Sequence, residues 1–176
     1  QERVGELFEL SKFDAGRVEP RLEVFCLAEL LQDEVQGYLP AARERGVTVE
    51  LAARSHRSAL VRADIAMIER VLQNLIDNAL RFTPAGGVIT LGIVAEGDHY
   101  RVSVADTGRG IAPEHLPHVF ERYWRSDDGA DPASPASSGL GLAIVKRILE
   151  IHGSGVQVRS EAATGTRFEF LLPQAA

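Results

Sequence analysis

Asn74-Leu75-Ile76-Asp77-Asn78-Ala79-Leu80-Arg81-Phe82-Thr83 is the stretch on which the fold turns. Ile65, Ile68, Leu72, Leu75, Ile76 and Ala79 recur at helical spacing through it, and Asp64 just ahead is a good N-cap. A long helix is therefore predicted, ended by Thr83-Pro84-Ala85-Gly86-Gly87. Asn74, Asn78 and Arg81 are four and three residues apart and share a second face, roughly opposite the apolar stripe at about 100° per residue. Two glycine-bearing runs follow, Asp106-Thr107-Gly108-Arg109-Gly110-Ile111 and Ser138-Gly139-Leu140-Gly141-Leu142. Neither has the spacing of a phosphate loop ending in Gly-Lys-Ser/Thr, nor of Gly-x-Gly-x-x-Gly after a strand.

Outward from this core, 47–51 alternates like a strand and 59–62 reads as a short second one. Residues 88–94 and 100–105 form two strands joined by Glu96-Gly97-Asp98, a hairpin signal. Residues 156–159 and 166–172 close as strands after an apolar-striped helix over 140–152. Ahead of the core, Leu27, Leu30, Leu31, Val35, Tyr38 and Leu39 predict a helix reaching Gly46, which Pro40 is expected to kink or to cap in its last part. At the start, Val4, Leu7, Phe8 and Ser11 lie on one helical stripe with no visible partner, and Glu19-Pro20 reads as a linker. Residues 113–119 read as a short helix, and 126–138, made of Asp, Ser, Pro, Ala and Gly, as a mobile loop. The fold class expected is α+β: a two-layer sandwich with a mixed, mostly antiparallel sheet of about five strands and three main helices on one face.

At 176 residues and 45% hydrophobic content the chain suits one domain with one appended element. A net charge of -6 and a pI near 5.4 argue against nucleic acid or an anionic membrane as partner. Cys26 is the sole cysteine, which rules out an intrachain disulfide or a cysteine metal cluster and suits a reducing compartment. No apolar run reaches bilayer length and no basic-then-apolar leader is seen, so a soluble, cytoplasmic domain is expected.

The chemistry expected of the three runs is that of an ATP pocket. Asn78 offers a neutral oxygen on a rigid helix, which suits Mg2+, an ion that keeps waters and takes substrate phosphates. By itself the Asn74/Asn78 pair reads equally as amides capping a solvated face; Arg81 beside them tips the balance toward phosphate. Asp106, ending an apolar strand, can accept from an exocyclic amine such as adenine's while Gly108 and Gly110 let the backbone approach the ring. Alone it is more often an ordinary Asp-Thr-Gly turn. Gly139, Leu140 and Gly141 open a helix behind a polar loop, so N–H groups and the positive end of the helix dipole face a phosphate chain; the bland alternative is a hinge.

Taken in order, the runs resemble the boxes of the catalytic, ATP-binding domain of bacterial two-component sensor histidine kinases, in the superfamily that includes gyrase and heat-shock chaperone ATPases. Residues 74–83 resemble the N box, 106–111 and 138–142 the two glycine boxes, Phe120-Glu121-Arg122-Tyr123-Trp124-Arg125 the F box and Thr164-Gly165-Thr166-Arg167-Phe168 the last glycine segment. The resemblance implies that Asn78 holds Mg2+, Asp106 reads the adenine amine, Arg81 and Arg122 contact phosphates, Phe82 takes the place of a ring against the base and Thr166 that of a hydroxyl near it. It makes Arg122 the residue expected to stabilise the transferring group, and 126–138 the lid. ATPase branches carry Glu where this chain has Asn74; a carboxylate activates water and an amide does not, so phosphotransfer is favoured over hydrolysis.

None of His56, His99, His115, His118 and His152 is followed directly by Glu or Asp, as the family's acceptor histidine is. By the resemblance, 1–19 is the end of the second helix of a dimerisation hairpin plus linker, 20–176 is the catalytic domain, and the acceptor lies outside these residues. The stripe of Val4, Leu7 and Phe8 is then expected to fray or to pair with another copy. Implied partners are the protein's own hairpin, a response-regulator receiver and a second copy in a homodimeric parent held in the inner membrane. His152 is expected to be structural, and His115 and His118 surface or core residues rather than a metal site. Two other functions fit the residues less well: a non-catalytic ATP-binding regulatory module, and an ATPase of the same superfamily.

Overall fold

The computed structural model of the chain describes residues 2–52, 58–125 and 138–175. Seven strands and four α-helices follow one another as α1 (Glu2–Asp14), β1 (Glu23–Cys26), α2 (Leu27–Glu44), β2 (Thr48–Leu51), β3 (Leu60–Ala63), α3 (Ile65–Phe82), β4 (Val88–Glu96), β5 (His99–Asp106), α4 (Gly141–Ile151), β6 (Val156–Glu161) and β7 (Gly165–Pro173). The main sheet has the order β2-β4-β5-β7-β6. Its β2–β4 pair is parallel and the other three are antiparallel, as expected of a mixed, mostly antiparallel sheet.

Register explains the two layers. Leu91 faces Val104, Val104 faces Phe168, and Val102 faces Phe170 across successive strands, which stacks one continuous apolar face under the helices. Ile89, Leu91, Val102, Val104, Phe168 and Leu172 are all buried there, against Ile68, Leu72, Ile76, Ile144 and Ile148 of α3 and α4. The opposite face carries charges held in pairs, such as Arg101 donating to Glu169 at 2.8 Å.

Three features depart from the sequence reading. β1, which the periodicity missed, pairs antiparallel with β3 in a separate two-stranded sheet, joined to the end of β7 by a bridge between Val61 and Gln174. α2 runs through Pro40 to Glu44, so the proline neither caps nor ends it. Residues 113–119 hold only a single 3-10 turn, Leu116–His118.

α1 also differs. Val4, Leu7 and Phe8 are exposed, as an unpartnered stripe should be. The helix nonetheless has a partner on its other side, where Leu10 and Phe13 enter the core, α1 packs on α4, and Glu9 accepts from Arg70 at 3.3 Å. Spacing alone did not single out this second, buried side because Leu7 and Phe8 are as hydrophobic as Leu10 and Phe13.

Candidate functional site

α3 is the spine of the site. Asp64 caps it by accepting from the Met67 N–H at 3.2 Å, and Ile68, Val71, Leu72, Leu75, Ile76, Ala79 and Leu80 bury its inner face. Ile65, expected in that stripe, is 36% exposed because it sits in the first turn, beyond the sheet's cover. Asn74, set by spacing on a face away from the apolar stripe, is 8% exposed, which removes the alternative of an amide on a solvated face. The start of α4 covers it, so closely that a Cβ on Gly141 would stand 3.1 Å from Asn74 Oδ1. Asn74 Nδ2 is buried with no hydrogen-bond partner among the described residues. A buried amide N–H left unpaired costs about 1–3 kcal/mol, so this donor is one that an acceptor would satisfy with a gain in free energy. Asn78 lies one turn further on and is half-buried.

At the far end of α3 a second group converges. Asp106 ends β5 half-buried, and its Oδ1 accepts from the Gly108 N–H at 2.9 Å. Burial pushes the Asp106 carboxyl up, while backbone hydrogen bonds from Gly108 and Thr166 oppose the rise. Gly108 must be glycine, since a Cβ would fall 2.4 Å from the Phe82 carbonyl oxygen. That close approach fastens the end of β5 to the end of α3. Thr166 lies directly opposite Asp106 in the β5–β7 register and is buried. Its hydroxyl shares a 2.9 Å hydrogen bond with Ser160, whose own hydroxyl donates to the Gly165 carbonyl and accepts from the Ile111 N–H. Ser160 thus ties the first glycine run to β7. The sequence reading missed it, because its signal is a strand register that only tertiary structure supplies.

Phe82 sits at the same end with the Arg109 guanidinium 4.7 Å and the Arg81 guanidinium 5.8 Å from its ring centre. Arg109 was also missed; its signal is a cation placed between Gly108 and Gly110. Arg81 is half-buried, and that burial disfavours its charge, with Arg125 acting the same way and Asp77 opposing. Two arginines thus stand by the Phe82 ring at this edge.

The other wall is the entry to α4. Leu140 at the N-cap of α4 has no capping side chain, so among the described residues the helix's first-turn N–H groups and positive dipole end are left for an anion. Gly139 adopts φ +74°, and a Cβ there would meet Tyr123 Cα at 2.8 Å. The Tyr123 N–H donates to the Gly139 carbonyl at 2.9 Å, and Leu140 is buried just behind. Gly110 also has positive φ, against the Glu161 carbonyl. The expected lid, 126–138, lies outside the described residues apart from Ser138, whose Oγ accepts from the Leu140 N–H.

The structure therefore brings together Asn74 with Gly141 midway along α3, and Phe82, Asp106, Gly108 and Thr166 at its C-terminal end. Asn74 and Phe82 are separated by about 12 Å along the helix axis, with Asn78 between them. An acceptor for a base amine at the C-terminal end and orphan donors midway along suit a base joined to an anionic chain.

Arg122 is engaged elsewhere: it is exposed and donates to Asp14 at the end of α1. The described histidines have local partners. His152 Nδ1 bonds the Ile148 carbonyl at 2.8 Å and its Nε2 accepts from the Asp64 N–H at 3.0 Å, tying α4 to the cap of α3. His115 packs edge-on against Trp124, and His118 pairs with Glu121 at 2.8 Å. His56 lies outside the described residues.

This fold and site define a class, and residues 63–176 match it: the chain belongs to the histidine kinase-, DNA gyrase B-, and HSP90-like ATPase family. The particular relatives are sensor proteins. DivL of Caulobacter vibrioides is 32% identical over 171 residues, covering 97% of this chain and 21% of that protein. SrrB of Staphylococcus aureus is 35% identical over 171 residues, covering 97% of this chain and 29% of that protein. Among solved structures, full-length ShkA in complex with AMPPNP superposes with a TM-score of 0.88 at 30% identity, over 99% of this chain and 36% of that one. The family read from the five boxes is thus the family found, and this chain spans between about a fifth and a third of these curated relatives. Among the described residues no helix is long and apolar enough to cross a membrane.

Proposed function

We propose that this chain binds ATP with Mg2+ along α3 and serves as the phosphoryl donor of a sensor histidine kinase. The observation that carries the reading is the pairing, along one helix, of the orphan Asn74 amide beside the uncapped start of α4 with the half-buried Asp106 acceptor beside Gly108. Adenine sets its amine against Asp106, Gly108 gives the ring room, and Thr166, Phe82 and Arg109 border it. The phosphates run toward Gly139, Leu140 and Gly141, where helix N–H groups and the Asn74 amide meet their oxygens. Arg81 adds charge at the base of this chain. Asn78 would supply the amide oxygen that holds Mg2+, whose charge would neutralise the phosphate oxygens.

Transfer breaks the bond from the γ-phosphorus to the oxygen of the departing ADP and forms one to the unprotonated nitrogen of an imidazole, and the proton on the other ring nitrogen leaves to water. The chain positions and neutralises charge rather than forming a covalent intermediate. Asn74 cannot take a proton from water, which favours a protein acceptor over hydrolysis. Arg122 stabilises the transferring group. The acceptor histidine belongs to a dimerisation hairpin whose second helix ends in residues 1–19, with 20–176 as the catalytic domain; the phosphoryl group then passes to an aspartate of a response regulator. Incubation with γ-labelled ATP and a separately supplied hairpin tests the reading. Labelled histidine is expected; its absence, with complex formation demonstrated, overturns it.

A further inference from the structure

Arg122 has a second site of engagement, on the element that leads into the domain. Asp14 is the last residue of α1, and its two carboxylate oxygens face two arginines. Arg122 Nη2 donates to Oδ2, while Arg147 Nε stands 3.8 Å from Oδ1, beyond hydrogen-bond reach. Arg147 Nε is itself buried with no hydrogen-bond partner among the described residues. The same guanidinium is anchored through Nη2 to the Phe13 carbonyl at 3.1 Å and through Nη1 to Glu150 at 3.3 Å. Asp14 thus lies between a fixed arginine with an unmet donor and an exposed arginine for which, among the described residues, this carboxylate is the partner.

We propose that Asp14 is a positioning residue that withholds Arg122 from the nucleotide, and that Arg147 is the alternative partner that lets it go; this rests on Arg122 acting at the transferring phosphoryl group. When Arg122 turns to that group, Asp14 Oδ1 closes the remaining gap to Arg147 Nε. The pair that is lost is an exposed one of small worth, and the donor that is satisfied is buried. Because Leu10 and Phe13 seat α1 in the core, Asp14 stays with α1, and any shift of α1 against α4 changes how tightly Arg122 is held. The position of the incoming helix is therefore coupled to phosphoryl transfer through one carboxylate.

The test compares the affinity of the chain for Mg-ADP with and without aluminium fluoride, which mimics the transferring group, by calorimetry. Asp14→Asn should increase the tightening due to aluminium fluoride by about two- to fivefold, the worth of an exposed ion pair. Asp14→Ser should do the same, and Asp14→Glu should restore the original ratio. Arg147→Met, which removes the alternative partner, should reduce the tightening. The Asp14→Asn gain should shrink in about 1 M salt, where the Debye length is about 3 Å. With the supplied hairpin, Asp14→Asn should raise kcat with KM unchanged. If Arg122→Ala abolishes the tightening but Asp14→Asn leaves it unmoved, or its gain is unaffected by salt, the latch is wrong while the phosphate role stands. If Arg122→Ala leaves the tightening intact, the reading of Arg122 itself fails.

Discussion

Glu34 on α2 is 7% exposed, and Gln73 of α3 donates to it across 3.5 Å. Burial first, then the charge and hydrogen bond of Glu69, raise its carboxyl from 4.5 to about 7, with Gln73 opposing. The folded chain therefore holds a proton here that the unfolded chain releases near pH 4.5, so stability is lost as pH rises from 4.5 through 7. A gap of about 2.5 pH units at 1.36 kcal/mol each sets the loss at up to about 3 kcal/mol. Glu34→Gln keeps a neutral group of the same shape that can still donate to Glu69, so it should erase this slope. Urea unfolding of both proteins between pH 4.5 and 8 checks it: the two should agree near pH 4.5, and the variant should be more stable by up to about 3 kcal/mol at pH 8. A difference that stays constant across that range would show that Glu34 keeps its charge when folded, and would refute the reasoning.

Asn78→Ala should weaken ATP binding far more in Mg2+ than in EDTA, as measured by calorimetry; equal loss in both would leave Asn78 a structural amide. Asp106→Asn should weaken ATP by about 10-fold to 100-fold while affecting GTP less, because guanine presents a carbonyl where adenine presents an amine; an unchanged ATP/GTP ratio counts against base reading. Leu10→Ala should cost about 2–4 kcal/mol in urea unfolding, whereas Phe8→Ala, on the exposed side of α1, should change stability by less than about 0.5 kcal/mol. Comparable losses from the two would place α1 differently on the domain.

How much of this was legible beforehand depended on the range of the interaction. Capping and periodicity act within one or two turns, so α3, its Asp64 cap and the β4–β5 hairpin could be read directly. Asn74 was visible as a residue but not as a buried one, because what covers it is Gly141, sixty-seven positions later. α1 shows the same limit: Leu7 and Phe8 carry as much local signal as Leu10 and Phe13, and only the position of α4 decides which pair is buried.

The order of boxes, the Asp106 strand end, the amide in place of a carboxylate at Asn74 and the uncapped glycine helix start are properties of the chain in one dimension. They sufficed for the family and for the chemistry expected of it. Tertiary structure alone decided that Ser160 links the first glycine run to Thr166, that Arg109 rather than a bare ring face borders Phe82, and that Arg122 lies against Asp14. The physical reason is that such contacts join residues from 6 to 108 positions apart, whose meeting depends on strand register and helix packing rather than on any local preference.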